Sequence, residues 1–294
     1  MLAETAKEPF DDKDWLFELK LDGVRAIAIL DGETKLYGRS GSEISRKFPE
    51  LMAMHKQAQK PCILDGEIVA SSLRFEDIQS RIHKEKDLDI RIASKQAPCI
   101  YYAFDILFIG ERNIMALPLI ERKAILHSHF IGDSSARTLG FQTQSGRALF
   151  EKIREAGLEG IIAKQISSPY LAGKRSPSWL KIKNFREEIF YICGVTEGEG
   201  DRAKSFGSFV LGKQNAERDV LYVGNCGSGF TEAQLMLFLQ MFEPMRSECP
   251  FRNGANVDRS VKFWVRPEFR CEVRYLELSP DGKLRFPSFR RLIR

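Results

Sequence analysis

If this chain performs chemistry, its lysines and carboxylates must do it. The stretch FELKLDGVRA (17–26) sets Lys20 two residues before an Asp22-Gly23 pair, between two apolar runs. A lysine is a nucleophile only when part of its population is neutral, which calls for a desolvated amine or for other cations folded beside it. The same stretch also reads as a solvated β-hairpin, because Asp-Gly between apolar strands is the strongest short hairpin signal. In LDGEIV (64–69), period-two alternation puts Asp65 and Glu67 on one face, opposite Leu64 and Ile68. Carboxylates on an inner face are costly unless a cation, a hydroxyl or a metal meets them. Glu159 opens another apolar strand, EGIIAK, which ends in Lys164. Either glutamate is an ordinary strand-end charge, or the two gather near Lys20 and hold a divalent cation or a ribose hydroxyl.

WLKIK (179–183) alternates Lys181 and Lys183 about Ile182. The two amines share a face, and either grip adjacent phosphates or lie solvated along an edge strand. Phe104, in YYAFDILF, is either plain core or a platform on which a base could stack. Arg39, in the loop GRSGSE, belongs either to a simple turn or to an anion cradle. No Gly-x-x-x-x-Gly-Lys-Ser/Thr occurs, which excludes the P-loop route to ATP chemistry. The four histidines suggest no Ser-His-Asp arrangement.

The surrounding pattern predicts the elements that must hold these residues. Runs at 15–19 and 24–30, followed by Asp31-Gly32 and TKLYGRS, predict a β-meander. FPELMAMHKQAQ (48–59) predicts a helix, CILDGEIVA (62–70) a strand pair or bent strand, FEDIQSRI (75–82) a helix and PCIYYAFDILFI (98–109) a buried strand. PLIERKAILHSHF (118–130) predicts a helix opening on a proline. Ser145 is placed to cap a helix over GRALFEKIREA, with Gly157 at its left-handed end. EGIIAKQ and SWLKIKN predict strands. Beyond about residue 187, IFYICGVTEG, SFGSFVLGKQ, DVLYVGNCGSG and CEVRYLELS predict short strands between glycine-rich turns, interrupted by one helix, TEAQLMLFLQMF. That composition predicts a small Greek-key barrel such as an OB-fold.

A chain of 294 residues has ample core for one large domain or two ordinary ones. No apolar run reaches the roughly 18 residues of a membrane span, and the N-terminal stretch has no apolar core of a secretory signal. The cysteines at 62, 99, 193, 226, 249 and 271 form no Cys-x-x-Cys pair, which argues against a zinc module or disulfide framework and for a reducing cytoplasm. The net charge of +5 is compatible with a polyanionic partner, with basic clusters at 174–186 and in the last ten residues.

These signals are individually weak, but they come in a telling order. Lys-x-Asp-Gly-x-Arg (20–25), GRSG (38–41), DGE (65–67), YAFDIL (102–107), EGIIAK (159–164) and WLKIK (179–183) follow one another. Their succession resembles the covalent nucleotidyltransferases: ATP-dependent DNA ligases, capping enzymes and RNA ligases. EPFDDKDWLFELKLDGVRA, SRKFPEL and WVRPEFRCEV are most similar to the ligase domain of bacterial ligase D, the end-joining ligase. The resemblance covers almost the whole chain.

It implies an α+β fold: a nucleotidyltransferase (adenylation) domain of antiparallel sheets with flanking helices (1–187), then an OB-fold barrel (188–294) that closes over its substrates. It further implies sealing of nicked or broken double-stranded DNA with ATP and Mg²⁺ or Mn²⁺. Lys20 would attack the α-phosphate of ATP, and the resulting lysyl-AMP would pass its adenylate to a 5′-phosphate. The 3′-hydroxyl would then displace AMP. Lys181 and Lys183 would hold the α-phosphate. Glu67 would contact the ribose or metal-bound water, Phe104 would stack on adenine, and Glu159 would bind the metal. Arg25 and Arg39 would receive the AMP phosphate, the ribose or the nick 5′-phosphate. Glu18 would lie near the adenine, and Lys164 belongs to the same nucleotide-binding set. A Ku-type end-binding partner, a monomeric state, no membrane association and a cytoplasmic, nucleoid-associated location are implied as well.

Relatives continue after FPSF into a string resembling Arg-x-Asp-Lys, whereas this chain stops at FRRLIR. Arg290, Arg291 or Arg294 would supply part of that role, or the chain is cut short. With no DNA-encircling domain before it, a minimal ligase with a modest grip on nicks is expected. Polymerase and nuclease domains would precede it in a longer parent chain. An RNA ligase or GTP-using capping enzyme would differ in the nucleotide it accepts. A non-catalytic DNA-binding relative would be indifferent to loss of Lys20.

Overall fold

The computed structural model describes residues 1–72, 75–252, 257 and 260–293, so Arg294 lies outside the described residues. The chain divides into two units, Met1–Asn184 and Phe185–Arg294. The first runs β1 (Leu2–Thr5), β2 (Asp12–Leu19), β3 (Val24–Asp31), β4 (Glu33–Gly38), β5 (Cys62–Ala70), α1 (Phe75–Ile82), α2 (Asp87–Gln96), β6 (Cys99–Ile109), β7 (Arg112–Asn113), α3 (Leu119–His129), β8 (Ala136–Thr138), β9 (Phe141–Gln144), α4 (Gly146–Glu155), β10 (Gly160–Gln165) and β11 (Arg175–Lys183). One sheet has the order β1-β11-β10-β2-β9. The other is β4-β3-β5-β6-β7, with β8 added alongside β6. All pairs are antiparallel except β1 with β11 and β6 with β8.

Strand alternation decides what each sheet shows to its two sides. In the first sheet Phe17, Ile161, Ala163 and Ile182 pack with Phe150 and Ile153 of α4, which leaves Glu18, Ile162, Lys164, Trp179, Lys181 and Lys183 for the opposite face. In the second sheet Leu64, Ile68, Ala26 and Ala28 enter a core with Phe48, Leu51 and Met54. Ile27 and Ile63 face the other way, into a cluster with Phe104, Leu107, Tyr170 and Trp179. The site lies where these two remaining faces meet.

The hairpin expected around Asp22-Gly23 does not form. β2 is already flanked by β10 and β9, and β3 by β4 and β5, so the connection crosses from one sheet to the other. Gly23 serves close approach: a Cβ there would stand 2.1 Å from the Ile68 carbonyl oxygen of β5. The β3–β4 hairpin does form, with Gly32 at φ +64. The helix expected over 48–59 is replaced by short 3₁₀ turns at Pro49–Leu51 and Met54–Gln57. Phe48, Leu51 and Met54 are all fully buried, and a spacing of three aligns side chains on a 3₁₀ turn better than on an α-helix. α4 begins after Ser145, whose side chain makes no capping bond; Asp11 Oδ1 accepts the Arg147 N–H at 2.9 Å instead. Gly157 ends it at φ +68.

The second unit comprises β12 (Arg186–Thr196), β13 (Phe209–Gln214), β14 (Val220–Cys226), α5 (Glu232–Phe242), β15 (Arg246–Ser247), β16 (Val261–Val265), β17 (Arg270–Tyr275) and β18 (Ser288–Ile293). β12 is long enough to pair with β13 along one edge and with both β16 and β17 along the other. The Leu284 and Phe289 N–H groups donate to the Val223 and Ser228 carbonyls at 2.8 Å, tying the end of the unit back beside β14. The resulting OB-fold barrel is filled by phenylalanines 206, 209, 238, 242 and 289, two of them from α5. A Thr231–Gln234 capping box starts that helix. Arg290 pairs with Glu187 of β12, and Arg291 with Glu272 of the adjacent β17.

Candidate active site

Lys20 follows the last residue of β2, and its N–H donates to the Gly160 carbonyl at 2.9 Å. That bond extends the β2–β10 ladder by one step and brings Lys20 beside Glu159, the residue preceding β10. The two side chains form an ion pair, and Lys183 approaches the other Glu159 oxygen at 3.4 Å. The Asn184 N–H donates to the Glu159 carbonyl at 2.8 Å, holding the ends of β10 and β11 together. Lys181 lies across from Ile162 in the same ladder. Burial, then Arg175, Lys183 and Lys20, pushes its amine below the ordinary lysine value. Three lysines thus collect around one carboxylate.

Glu18 projects from β2 and is 1% exposed. It pairs with Lys123 of α3 and with Lys164 of β10, the latter at 2.6 Å. Burial alone would push the Glu18 carboxyl up, but the two lysines outweigh it and hold it below its usual range. Burial pushes the Lys164 ammonium down to about 8 against the pull of Glu18. Lys164 Nζ stands 4.3 Å from the Phe104 ring centroid and 4.1 Å from that of Trp179, so the buried charge rests on two aromatic faces.

Phe104 reaches this space through a β-bulge. Asp65 pairs with Asp105 and Gly66 with Ala103, which leaves Phe104 as the extra residue of β6. Bulges re-aim side chains in this way beside sites. Asp105 follows it, fully buried, in a two-pronged pair with Arg122 of α3 at 2.8 and 2.9 Å. Across the sheet, Arg25 Nε and Nη2 donate to the two oxygens of Asp65 at 3.0 and 2.6 Å. Glu67, opposite Arg25 in the β3–β5 ladder, is pushed up to about 8 by burial, reinforced by Asp65 and Glu159 and opposed by Lys20 and Arg25.

Glu18, Lys20, Arg25, Glu67, Phe104, Lys164 and Trp179 line one pocket that opens to solvent. Lys181, Lys183 and Glu159 stand at its lysine-rich side. Arg39 does not join them: it is exposed and lines a second cavity of about 680 Å³, whose wall includes Arg25 and Tyr170. The arrangement offers an amine nucleophile candidate, further cations for phosphoryl oxygens and an aromatic surface for a base. Among the described residues no group of three or more metal-ligating side chains assembles. Glu159 lies near enough to Glu67 to help push its carboxyl up. Two carboxylates suit a Mg²⁺-type ion, which shares its shell with water and substrate phosphates.

Sequence reasoning missed Lys123, Tyr170, Trp179 and Arg122. Trp179 heads the WLKIK run and shares its alternation, so period two would have found it. Lys123, Arg122 and Tyr170 arrive from a helix and a loop, and only the tertiary fold brings them in.

Family models described as ATP dependent DNA ligase domain and ATP dependent DNA ligase C terminal region match residues 1–183 and 202–294. The multifunctional non-homologous end joining protein LigD of Mycolicibacterium smegmatis is 34% identical over 298 residues, covering 99% of this chain and 38% of its own length. The chain therefore spans well under half of that relative. The SPbeta prophage-derived DNA ligase-like protein LigB of Bacillus subtilis is 30% identical, with 98% and 96% covered. Among solved structures, the ligase domain of M. tuberculosis LigD matches with TM-score 0.57 and 27% identity over 99% of this chain and 93% of that one. On these grounds, and with a lysine-centred pocket in its first unit, the chain belongs to the ATP-dependent DNA ligases.

Proposed function

We propose that this chain seals 3′-hydroxyl/5′-phosphate nicks in double-stranded DNA through a lysyl-AMP and an adenylated DNA end, in the repair of broken DNA by end joining. The observation that carries the reading is the meeting of Lys20, Lys183 and Glu159 beside the pocket that Lys20 shares with Arg25, Glu67 and Phe104.

Lys20 Nζ, as the free amine, attacks the α-phosphorus of ATP; a P–N bond forms, the bond to pyrophosphate breaks, and the amine loses a proton. An oxygen of the DNA 5′-phosphate then attacks the same phosphorus, and the amine regains its proton as the P–N bond breaks. The 3′-oxygen attacks the 5′-phosphorus, and AMP leaves. Charge grows on phosphoryl oxygens throughout, so positioned cations account for most of the acceleration. Lys181 and Lys183 supply that charge at the α-phosphate, and Arg25 supplies it from the second sheet. Phe104 stacks on the adenine; Glu18 and Lys164 border the same end of the pocket. Glu67 binds the ribose or a metal-bound water. Bound at Glu159 and Glu67, a Mg²⁺ or Mn²⁺ would neutralise phosphate charge. Arg39, on the second cavity, is assigned to the nick 5′-phosphate. Arg290 and Arg291 remain candidates for orienting the leaving pyrophosphate.

The end-joining setting is supported by the name of the M. smegmatis relative. A Ku-type end-binding partner, a monomeric state and a cytoplasmic, nucleoid-associated location belong to the same reading. The test is transfer of label from α-labelled ATP to the protein with Mg²⁺ or Mn²⁺. An acid-labile label is expected on the wild type and absent from Lys20→Ala. A label retained by Lys20→Ala would refute the assignment, and labelling by GTP in place of ATP would move the chain to the capping enzymes.

A further inference from the structure

Three hydrogen bonds hold Arg25, and one of them comes from a residue outside every motif considered above. Arg25 Nε and Nη2 take the two oxygens of Asp65, which is fully buried. The Tyr170 hydroxyl donates to Asp65 Oδ2 at 2.8 Å and accepts from Arg25 Nη2 at 3.3 Å, closing a three-residue ring. Among the described residues these bonds use the Nε and Nη2 side of the guanidinium. Arg25 is common to the walls of the nucleotide pocket and of the second cavity, where Arg39 also stands. Tyr170 is 7% exposed, and its ring meets Trp179 edge-on at 6.0 Å, so the ring has a seat of its own independent of the hydroxyl.

We propose that Tyr170 is a positioning residue for phosphoryl transfer: through Asp65, its hydroxyl fixes the Arg25 guanidinium at the wall shared by the two cavities, where it meets phosphate oxygens. A bidentate arginine–carboxylate pair fixes the fork relative to the carboxylate but leaves the carboxylate free to turn on its own side chain. A third partner on the same oxygen removes that freedom, and fixed donors stabilise developing charge without reorganising. The inference rests on the reading of Arg25 as a phosphate-binding group.

The experiment compares wild type, Tyr170→Phe, Arg25→Ala and the double variant. It measures kcat/KM for self-adenylation with α-labelled ATP, sealing of a pre-adenylated nick, and the thermal midpoint. Tyr170→Phe should lower kcat/KM roughly ten-fold, the worth of one hydrogen bond to a charged group, with its midpoint lowered by only a few degrees. Arg25→Ala should lose more, and adding Tyr170→Phe to it should cost nothing further, which a purely structural tyrosine would not produce. The proposal is overturned if Tyr170→Phe is fully active while Arg25→Ala is crippled, or if the two losses multiply. A midpoint lowered by about 10 °C or more would assign Tyr170 to stability and overturn it also. Wild-type rates in Arg25→Ala would remove the premise itself, and the assigned role of Arg25 with it.

Discussion

Arg122→Met tests how firmly α3 is moored to the strand that carries Phe104. Arg122 and Asp105 are both fully buried and share two hydrogen bonds at 2.8 and 2.9 Å. Arg122 Nη1 also serves the carbonyls of Leu117 and of Ser168, the latter at 3.0 Å. Methionine fills much of the arginine's volume, so the loss is electrostatic rather than a void. Among the described residues Asp105 then keeps the Ile106 N–H at 2.9 Å as its hydrogen bond and becomes a buried charge without its directly paired cation. Breaking such a pair costs about 3–5 kcal/mol. For a unit of this length that corresponds to a midpoint lowered by about 6–20 °C. Urea and thermal unfolding of the full chain would measure it, followed by near-ultraviolet circular dichroism. Asp105→Leu added to Arg122→Met removes the stranded charge, so the double variant should recover part of the loss. A single variant losing less than about 1 kcal/mol, the value of a solvated pair, would refute the reasoning. So would a double variant less stable than the single one.

Two further outcomes are expected. Gly23→Ala would drive a Cβ to 2.1 Å from the Ile68 carbonyl oxygen. The backbone cannot yield there without shifting the Lys20 segment, so about 1–3 kcal/mol of stability should be lost together with self-adenylation; an active variant of wild-type stability would contradict this. Burial pushes Lys164 down to about 8 from an ordinary value of 10.5. Between those values the unfolded chain holds more protons than the folded one, so folding stability rises with pH through that window. Wild type should therefore gain stability relative to Lys164→Met as pH rises from about 8 toward 10 in urea titrations, and parallel curves would refute it.

What could be read from the residues depended on how locally each feature is determined. Alternation is a local rule, so the shared face of Lys181 and Lys183 in β11 and the shared side of Asp65 and Glu67 in β5 are found as expected. The Asp22-Gly23 hairpin failed because strand pairing is settled by distant partners: β9 and β10 claim both edges of β2 before β3 can. The 48–59 helix failed for a subtler reason. Its apolar residues fit periods of three and of 3.6 over so short a span, and the fully buried positions chose three. The position of Arg39 on a separate cavity and the arrival of Tyr170 at the site depend on loop paths that carry no periodic signal, and that of Lys123 on where α3 docks.

The β5–β6 ladder keeps a kind of reading frame. Leu107 is unmatched between the pairs Ile63–Phe108 and Leu64–Ile106, just as Phe104 is unmatched further along. Each extra residue reverses which side the odd-numbered positions face, and two reversals restore the original phase. Tyr101 and Ile109, at opposite ends of β6, therefore contribute to the same core, while Phe104, Leu107 and Phe108 all reach the other side. Deleting either supernumerary residue alone would close its bulge and leave the rest of β6 opposite its present partners in β5, so both ends of the strand would keep their facing. Removing both supernumerary residues would keep the phase and the core, and would erase only the aromatic floor. Single-residue changes of length in this strand are thus absorbed best at its two bulges, Phe104 and Leu107.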